Sequence, residues 1–188
     1  TDTIYIPNSQ KDEIENMISE FLDTMKDEKV LGFNSNVRTV EIHGRIQRVL
    51  DRAIWKDGFK TVWKNHTLKD THGPVILTDG HSDSTIWKSE IFGPIVCIKG
   101  YDGDDLNYAI DEINEIGYGL KCSIWTNRDN KLEISERVNC GSVHFNQMTI
   151  FDEPHLPHGG VGLSGNGRFN SVWGVRSFQY DKLVTGVS

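Results

Sequence analysis

The apolar positions of this chain fall into two periods. After Ser9, a candidate helix cap, Ile14, Met17, Ile18, Phe21, Leu22 and Met25 recur three and four residues apart, which predicts an amphipathic helix. Val40 to Ala53 repeats the pattern with Ile42, Ile46, Val49 and Leu50 inward. Asp104 or Asp105 opens a third helix with Leu106, Ala109, Ile110 and Ile113 inward, ended by Tyr118-Gly119. A fourth is expected over Asn130 to Val138. Short apolar runs between them read as strands: Thr3 to Ile6, Val75 to Leu77, Ile95 to Tyr101, Leu120 to Thr126 and Gly141 to Phe145. The unbroken run Ile95-Val96-Cys97-Ile98 predicts a strand buried on both faces. Strand, helix, strand, helix, strand from Ile95 onward describes right-handed crossovers in a parallel sheet, so the class is α/β.

Some stretches fit neither period. Gly58 to Thr71 alternates in polarity and predicts a pair of short exposed strands. His81 to Lys88 reads as a polar loop with a lone Trp87. Gln147 to Phe169 carries Gly, Pro and His and is too long for a simple connector, as functional loops often are. Val175 to Val184 has strand character. No repeat or low-complexity tract interrupts the chain, and no linker divides it.

Composition narrows the function classes. A formal net charge of −7 disfavours nucleic acid and anionic membranes, which both select basic patches. The apolar runs are too short to span a bilayer, and no signal peptide is visible. The three cysteines, Cys97, Cys122 and Cys140, form no disulfide framework, which suits a reducing compartment; the cytoplasm is the expected location. Each reads as a small buried hydrophobe. The seven histidines show no metal-ligand spacing, so no metal is expected.

The candidate chemistry lies in Glu90-Ile91-Phe92-Gly93-Pro94. In an extended segment, Glu90 and Phe92 face the same side. The carboxylate can accept hydrogen bonds from a diol such as a ribose, and the ring can lie against a flat heterocycle. Gly93 allows close backbone approach and Pro94 fixes the exit. The competing reading is an exposed Glu beside a core Phe.

Glu90-Ile91-Phe92-Gly93-Pro94, Tyr118-Gly119-Leu120, Gly141 to Asn146 and the run from Gly159 to Arg168 occur in an order that resembles the second half of NAD(P)-dependent aldehyde dehydrogenases. Asp152-Glu153-Pro154-His155-Leu156-Pro157 looks like the branch acting on aromatic aldehydes such as salicylaldehyde, vanillin and benzaldehyde. The resemblance implies the family's catalytic-domain fold, a parallel-rich sheet flanked by helices, over residues 1–172, with a C-terminal oligomerisation strand over 173–188. It implies NAD or NADP as cofactor, an aldehyde as substrate, and a homodimer or tetramer. In the family a cysteine thiolate attacks the aldehyde, hydride passes to the nicotinamide, and a glutamate activates water to hydrolyse the thioester.

By the same resemblance, Glu90 matches the acceptor of the nicotinamide-ribose hydroxyls and Phe92 the ring beside the nicotinamide. Asn146, Ile150 and Phe151 match one wall of the aldehyde tunnel. His158 stands where the family usually has Phe before Gly-Gly, which brings a titratable ring to that wall; a simple hydrogen-bonding histidine is the plainer reading. Arg45 falls near a position that touches the adenosine ribose, although its sequence favours a solvated helix arginine. Gly159 to Gly167 is expected to be a turn-rich structural segment.

No Gly-Gln-X-Cys motif and no glycine-rich cofactor loop are present. The resemblance places the nucleophilic cysteine just upstream of Thr1. The expectation is therefore the C-terminal part of a larger enzyme, inactive alone, whose partner is the missing N-terminal cofactor domain. The alternative is a non-catalytic fragment serving as an assembly or binding module.

Overall fold

The computed structural model describes residues 2–25, 40–64, 74–103 and 105–187. They fall into two compact units, Thr1–Ala109 and Ile110–Ser188.

In the first unit, four strands lie side by side in the order β1 (Thr3–Pro7), β4 (Ile95–Tyr101), β3 (Val75–Thr78), β2 (Lys60–Lys64). β4 runs parallel to β1 and β3, and β2 closes the sheet antiparallel to β3. Val75 and Leu77 of β3, with Ile95 and Cys97 of β4, share a cluster with Ile46 and Leu50 of α2 (Val40–Asp51) and Ala53 of the π turn after it (Arg52–Lys56). The intervening Ile76, Val96 and Ile98 join Ile6 and Trp63 in a second cluster with Ile14, Ile18 and Leu22 of α1 (Asn8–Met25). Successive strand residues point to opposite faces, so α1 and α2 cover opposite sides of the sheet. Leu77, Ile95 and Ile98 are wholly buried, and each such side chain contributes about 1.5–3 kcal/mol of burial.

Several expectations need correction here. α1 starts at Asn8, so Ser9 lies inside it. Ile14, Ile18 and Leu22 pack on the sheet cluster, whereas Met17 and Phe21 are exposed. The sheet covers one stripe of the helix, and at about 100° per residue Met17 lies well around from its middle. Gly58 to Thr71 supplies one described strand, β2, whose Trp63 is buried against the sheet; residues 65–71 lie outside the described ones. Trp87 is no loop residue but, with Ile86, a buried member of a 3-10 turn (Thr85–Lys88). The side chain of Ile42, and all of Asp104, also lie outside the described residues.

α3 (Leu106–Glu115) leads into the second unit, capped by Asp105, whose carboxylate accepts from the Asn107 N–H at 3.0 Å. There β6 (Lys121–Ile124) and β7 (Ser142–Phe145) pair in parallel, joined by the crossover helix α4 (Lys131–Arg137). β5 (Tyr118–Gly119) pairs antiparallel with β8 (Val161–Gly162). Tyr118-Gly119 is thus a strand and not the helix end, and β4 and β6 belong to different sheets rather than one. The loop from Gln147 to Phe169 is interrupted by β8 and by a bridge between His158 and Phe169.

The strand expected over Val175 to Val184 is absent from the described residues. α5 (Ser171–Ser177) takes its first part, and residues 179–187 are exposed without regular structure. Strand character alone makes no strand, because the backbone groups need a ladder partner. Among the described residues, no helix is long and apolar enough to cross a membrane.

Candidate functional site

The Glu90–Pro94 loop connects the 3-10 turn to the central strand, and its base is fixed at both ends. Upstream, Asp57 is buried, accepts from the Ser84 hydroxyl at 2.6 Å, and pairs with Arg52 Nε at 3.2 Å. The Ser84 hydrogen bond, with the Arg52 charge, holds the Asp57 carboxyl below its usual range despite burial. Ser84 Oγ also caps the 3-10 turn by accepting from the Ile86 N–H at 3.2 Å. Trp87 packs on Phe59 with ring centroids 4.8 Å apart and donates to His81 O at 2.9 Å. Downstream, Pro94 O accepts from the Val75 N–H at 2.9 Å, tying the exit to β3.

Between these anchors the backbone is not extended. Phe92 has φ +51°, the left-handed region that a bulky residue enters only when held there. Ile91 is buried in the α2-side cluster, while Glu90 is exposed and Phe92 is 78% exposed. Acid and ring are both exposed, on a turn rather than on the extended segment from which a shared side was expected. Phe92 is not a core residue.

Arg45 of α2 holds the turn. Its Nη1 donates to Ile91 O and its Nη2 to Phe92 O, both at 2.5 Å. Arg45 is therefore not a solvated helix arginine. The next residue, Ile46, lies under Gly93, where an added Cβ would come within 3.3 Å of Ile46 Cγ1. The sequence shows an arginine before a buried isoleucine, but nothing in it reveals acceptors 46 and 47 residues away.

The second unit carries the other expected residues. Asn146 follows β7 with φ +55°. Its side chain accepts from the Thr126 N–H at 2.7 Å and donates to Thr126 O at 2.9 Å, so its amide extends the β6–β7 pairing. Ile150 is largely exposed, and Phe151 is half exposed with its carbonyl accepting from Lys121 Nζ at 2.7 Å. His158 is mostly covered. Its Nδ1 lies 3.0 Å from Asp152 Oδ1, and its ring stacks at a tilt on Phe169, centroids 4.7 Å apart. An ionised carboxylate only accepts, so that geometry puts the hydrogen on Nδ1. Asn170 Nδ2 donates to the same Asp152 oxygen at 3.1 Å.

Two features escaped the sequence reading. His144 sits between Ser142 Oγ (3.1 Å) and Gln147 Nε2 (3.3 Å), and burial pushes its pKa down. Gly141 packs directly on the Gly159 carbonyl, leaving no room for a Cβ. The Gly159–Gly167 segment is turn-rich, and Arg168 Nη1 donates to Gly160 O and Gly167 O, both at 2.8 Å.

The thiols are poor nucleophiles. Burial pushes Cys97 and Cys122 up to about 12 and raises Cys140 as well. Cys97 is fully buried, whereas Cys122 and Cys140 are half-buried. No described group of His, Cys, Asp and Glu could hold a metal ion.

A family model, the aldehyde dehydrogenase family, matches residues 34–184. The chain belongs to the aldehyde dehydrogenase family. Vanillin dehydrogenase of Corynebacterium glutamicum is 34% identical over 112 residues, which cover 59% of this chain and 23% of that protein. Benzaldehyde dehydrogenase [NAD(+)] of Pseudomonas putida is 37% identical over 115 residues, 60% of this chain and 23% of that protein. Among solved structures, the salicylaldehyde dehydrogenase of Pseudomonas putida G7 superimposes with a TM-score of 0.76 at 25% identity, covering 95% of this chain and 37% of that one. An aldehyde dehydrogenase of Mycobacterium tuberculosis, complexed with NAD+, gives 0.82 at 26% identity over 100% of this chain and 40% of that one. The chain thus spans about a quarter of the curated aldehyde dehydrogenases it matches. The α/β fold expected from the sequence is that of its family.

Proposed function

We propose that this chain is part of an NAD(P)-dependent oxidoreductase that converts an aldehyde, of the aromatic class, to its carboxylic acid. One observation carries the reading. A carboxylate and an aromatic ring, Glu90 and Phe92, stand exposed on either side of the buried Ile91 on a backbone that Arg45 and Gly93 fix. Exposing a Phe costs burial energy that a purely structural loop would recover.

These two groups fit the cofactor's chemistry. Glu90 would accept hydrogen bonds from the ribose hydroxyls, and Phe92 would lie against the nicotinamide. When bound, NAD(P)+ supplies a hydride acceptor. Ile150, Phe151 and His158 would line the aldehyde's path, and Asn146 would set the loop that carries them. The aromatic assignment is supported by the similarity to vanillin and benzaldehyde dehydrogenases. The covalent step needs a thiolate, and all three cysteines here are held as thiols at neutral pH. We assign that step to a cysteine outside this chain, in a parent whose cofactor domain is this chain's partner. We assign residues 1–172 to the catalytic domain and 173–188 to subunit assembly. Phe178, Tyr180, Leu183 and Val184 are all at least 80% exposed, which favours a homodimer or tetramer. A cytoplasmic location fits the thiols.

The test is aldehyde-dependent NADH or NADPH formation by the full-length protein carrying this chain. Benzaldehyde, salicylaldehyde and vanillin would be compared with an aliphatic aldehyde. Turnover led by the aromatic substrates supports the reading; aliphatic preference overturns the substrate class, and no turnover with any of them overturns the activity.

A further inference from the structure

We propose that Arg45 is a positioning residue for cofactor binding, acting through the backbone of Ile91 and Phe92 without touching the ligand. The inference rests on the assignment of Glu90 and Phe92 to the cofactor.

Three observations meet on two consecutive residues of α2. The Arg45 guanidinium donates to Ile91 O through Nη1 and to Phe92 O through Nη2, both at 2.5 Å. Those two carbonyls flank the peptide unit of Phe92, whose φ of +51° an unsupported Phe would abandon. Ile46 then contacts the loop directly below Gly93. α2 therefore specifies the turn twice, once by charge-assisted hydrogen bonds and once by packing.

The division of labour follows from the geometry. Packing fixes where the loop lies, because Ile91 and Ile46 share the core cluster. It does not fix the rotation of the peptide after Ile91, and that rotation sets where the Phe92 ring stands relative to Glu90. The planar guanidinium does fix it, since two parallel N–H donors demand two carbonyls on one side. A lysine presents a point charge and cannot impose that pairing. Arg45 engages both terminal nitrogens on the protein, so its role is to hold the loop rather than to touch the adenosine ribose.

The experiment uses the full-length protein. Arg45→Ala, Arg45→Lys, Glu90→Gln and the double variant Arg45→Ala/Glu90→Gln are measured for NADH binding by fluorescence, cofactor KM, aldehyde KM, kcat and Tm. Arg45→Ala is expected to weaken cofactor binding about tenfold, as the loss of charge-assisted hydrogen bonds would. Aldehyde KM stays within about twofold, and the double variant is no weaker than the more affected single one, because the two act as a unit. Added guanidinium ion restores cofactor affinity in Arg45→Ala and leaves Glu90→Gln unchanged. Arg45→Lys, which keeps the charge, retains the fold and still shows the cofactor defect, so the test survives if the alanine variant does not fold.

Unchanged cofactor binding in Arg45→Ala or Arg45→Lys, with a clear loss in Glu90→Gln, overturns the positioning role and leaves the functional reading intact. A lowered Tm with cofactor and aldehyde affinity falling together, and no guanidinium rescue, also overturns it. Wild-type cofactor binding in Glu90→Gln removes the functional reading itself and this inference with it.

Discussion

His158 and Asp152 form a pair across the turn that precedes β8, with Nδ1 and Oδ1 3.0 Å apart. Asn170 binds the same oxygen, and Phe169 supports the imidazole from one side. The ring is thereby fixed in one tautomer, with Nε2 left as an acceptor when His158 is neutral. If the Gln147–Phe169 loop walls the aldehyde's path, His158→Phe should alter discrimination among aromatic aldehydes. The expected outcome is a severalfold rise in KM for salicylaldehyde and vanillin, whose ring hydroxyls can donate, with benzaldehyde and the cofactor little changed. Steady-state kinetics on the three aldehydes checks it.

Ser84→Ala should destabilise the protein by about 1–3 kcal/mol at neutral pH, because buried Asp57 loses its shortest hydrogen bond and the 3-10 turn its cap. The folded pKa of Asp57 lies below its unfolded value. Its ionisation therefore stabilises the fold above the unfolded pKa, and that contribution disappears as pH falls through the folded one. The gap between wild type and Ser84→Ala should narrow below about pH 4. Urea denaturation of both proteins between neutral and acid pH reads it directly.

Cys97, Cys122 and Cys140 should react slowly with a disulfide reagent while the protein is folded, since the thiolate is the reactive form. The rate should climb with pH, with no plateau near neutrality for the two thiols held at about 12. Mass spectrometry after timed alkylation assigns the sites. A burst at any of the three at pH 7 would contradict the burial described.

Gly141→Ala should be among the most damaging small substitutions in the second unit. Its Cβ would overlap the Gly159 carbonyl, a backbone atom that cannot swing aside. Overpacking of this kind costs about 1–3 kcal/mol or more. Gly186→Ala is the control: nothing lies within 4 Å of that Cβ, so thermal unfolding should be unchanged.

Hydrophobic periodicity located most of the elements, because the helices and strands that flank the first sheet alternate in the way burial requires. It failed where a tertiary partner decides. Met17 and Phe21 match the helical period, yet they lie around the helix from the stripe that faces the sheet and are exposed. Trp87 sits in a mostly polar stretch and is buried where Phe59 and the carbonyl of His81 meet it. Val175 to Val184 has strand residues and lacks a ladder within the described chain. For Glu90 and Phe92 the alternation argument does not apply. An extended backbone was assumed, whereas Arg45 holds Phe92 at positive φ. A contact separated by 47 residues leaves no local trace. Likewise Asn146, legible as a loop residue by resemblance, has its amide engaged by Thr126.

β4 begins one residue after Pro94 and is hydrogen-bonded on both edges, to β1 and to β3. The Glu90–Pro94 loop therefore runs directly into a strand that is paired on both sides. On the proposed assignment of Glu90 and Phe92 to the cofactor, rearrangement at this place falls to the small molecule rather than to the loop. Amide exchange at Val96 to Ile98 should accordingly be as slow with cofactor present as without it.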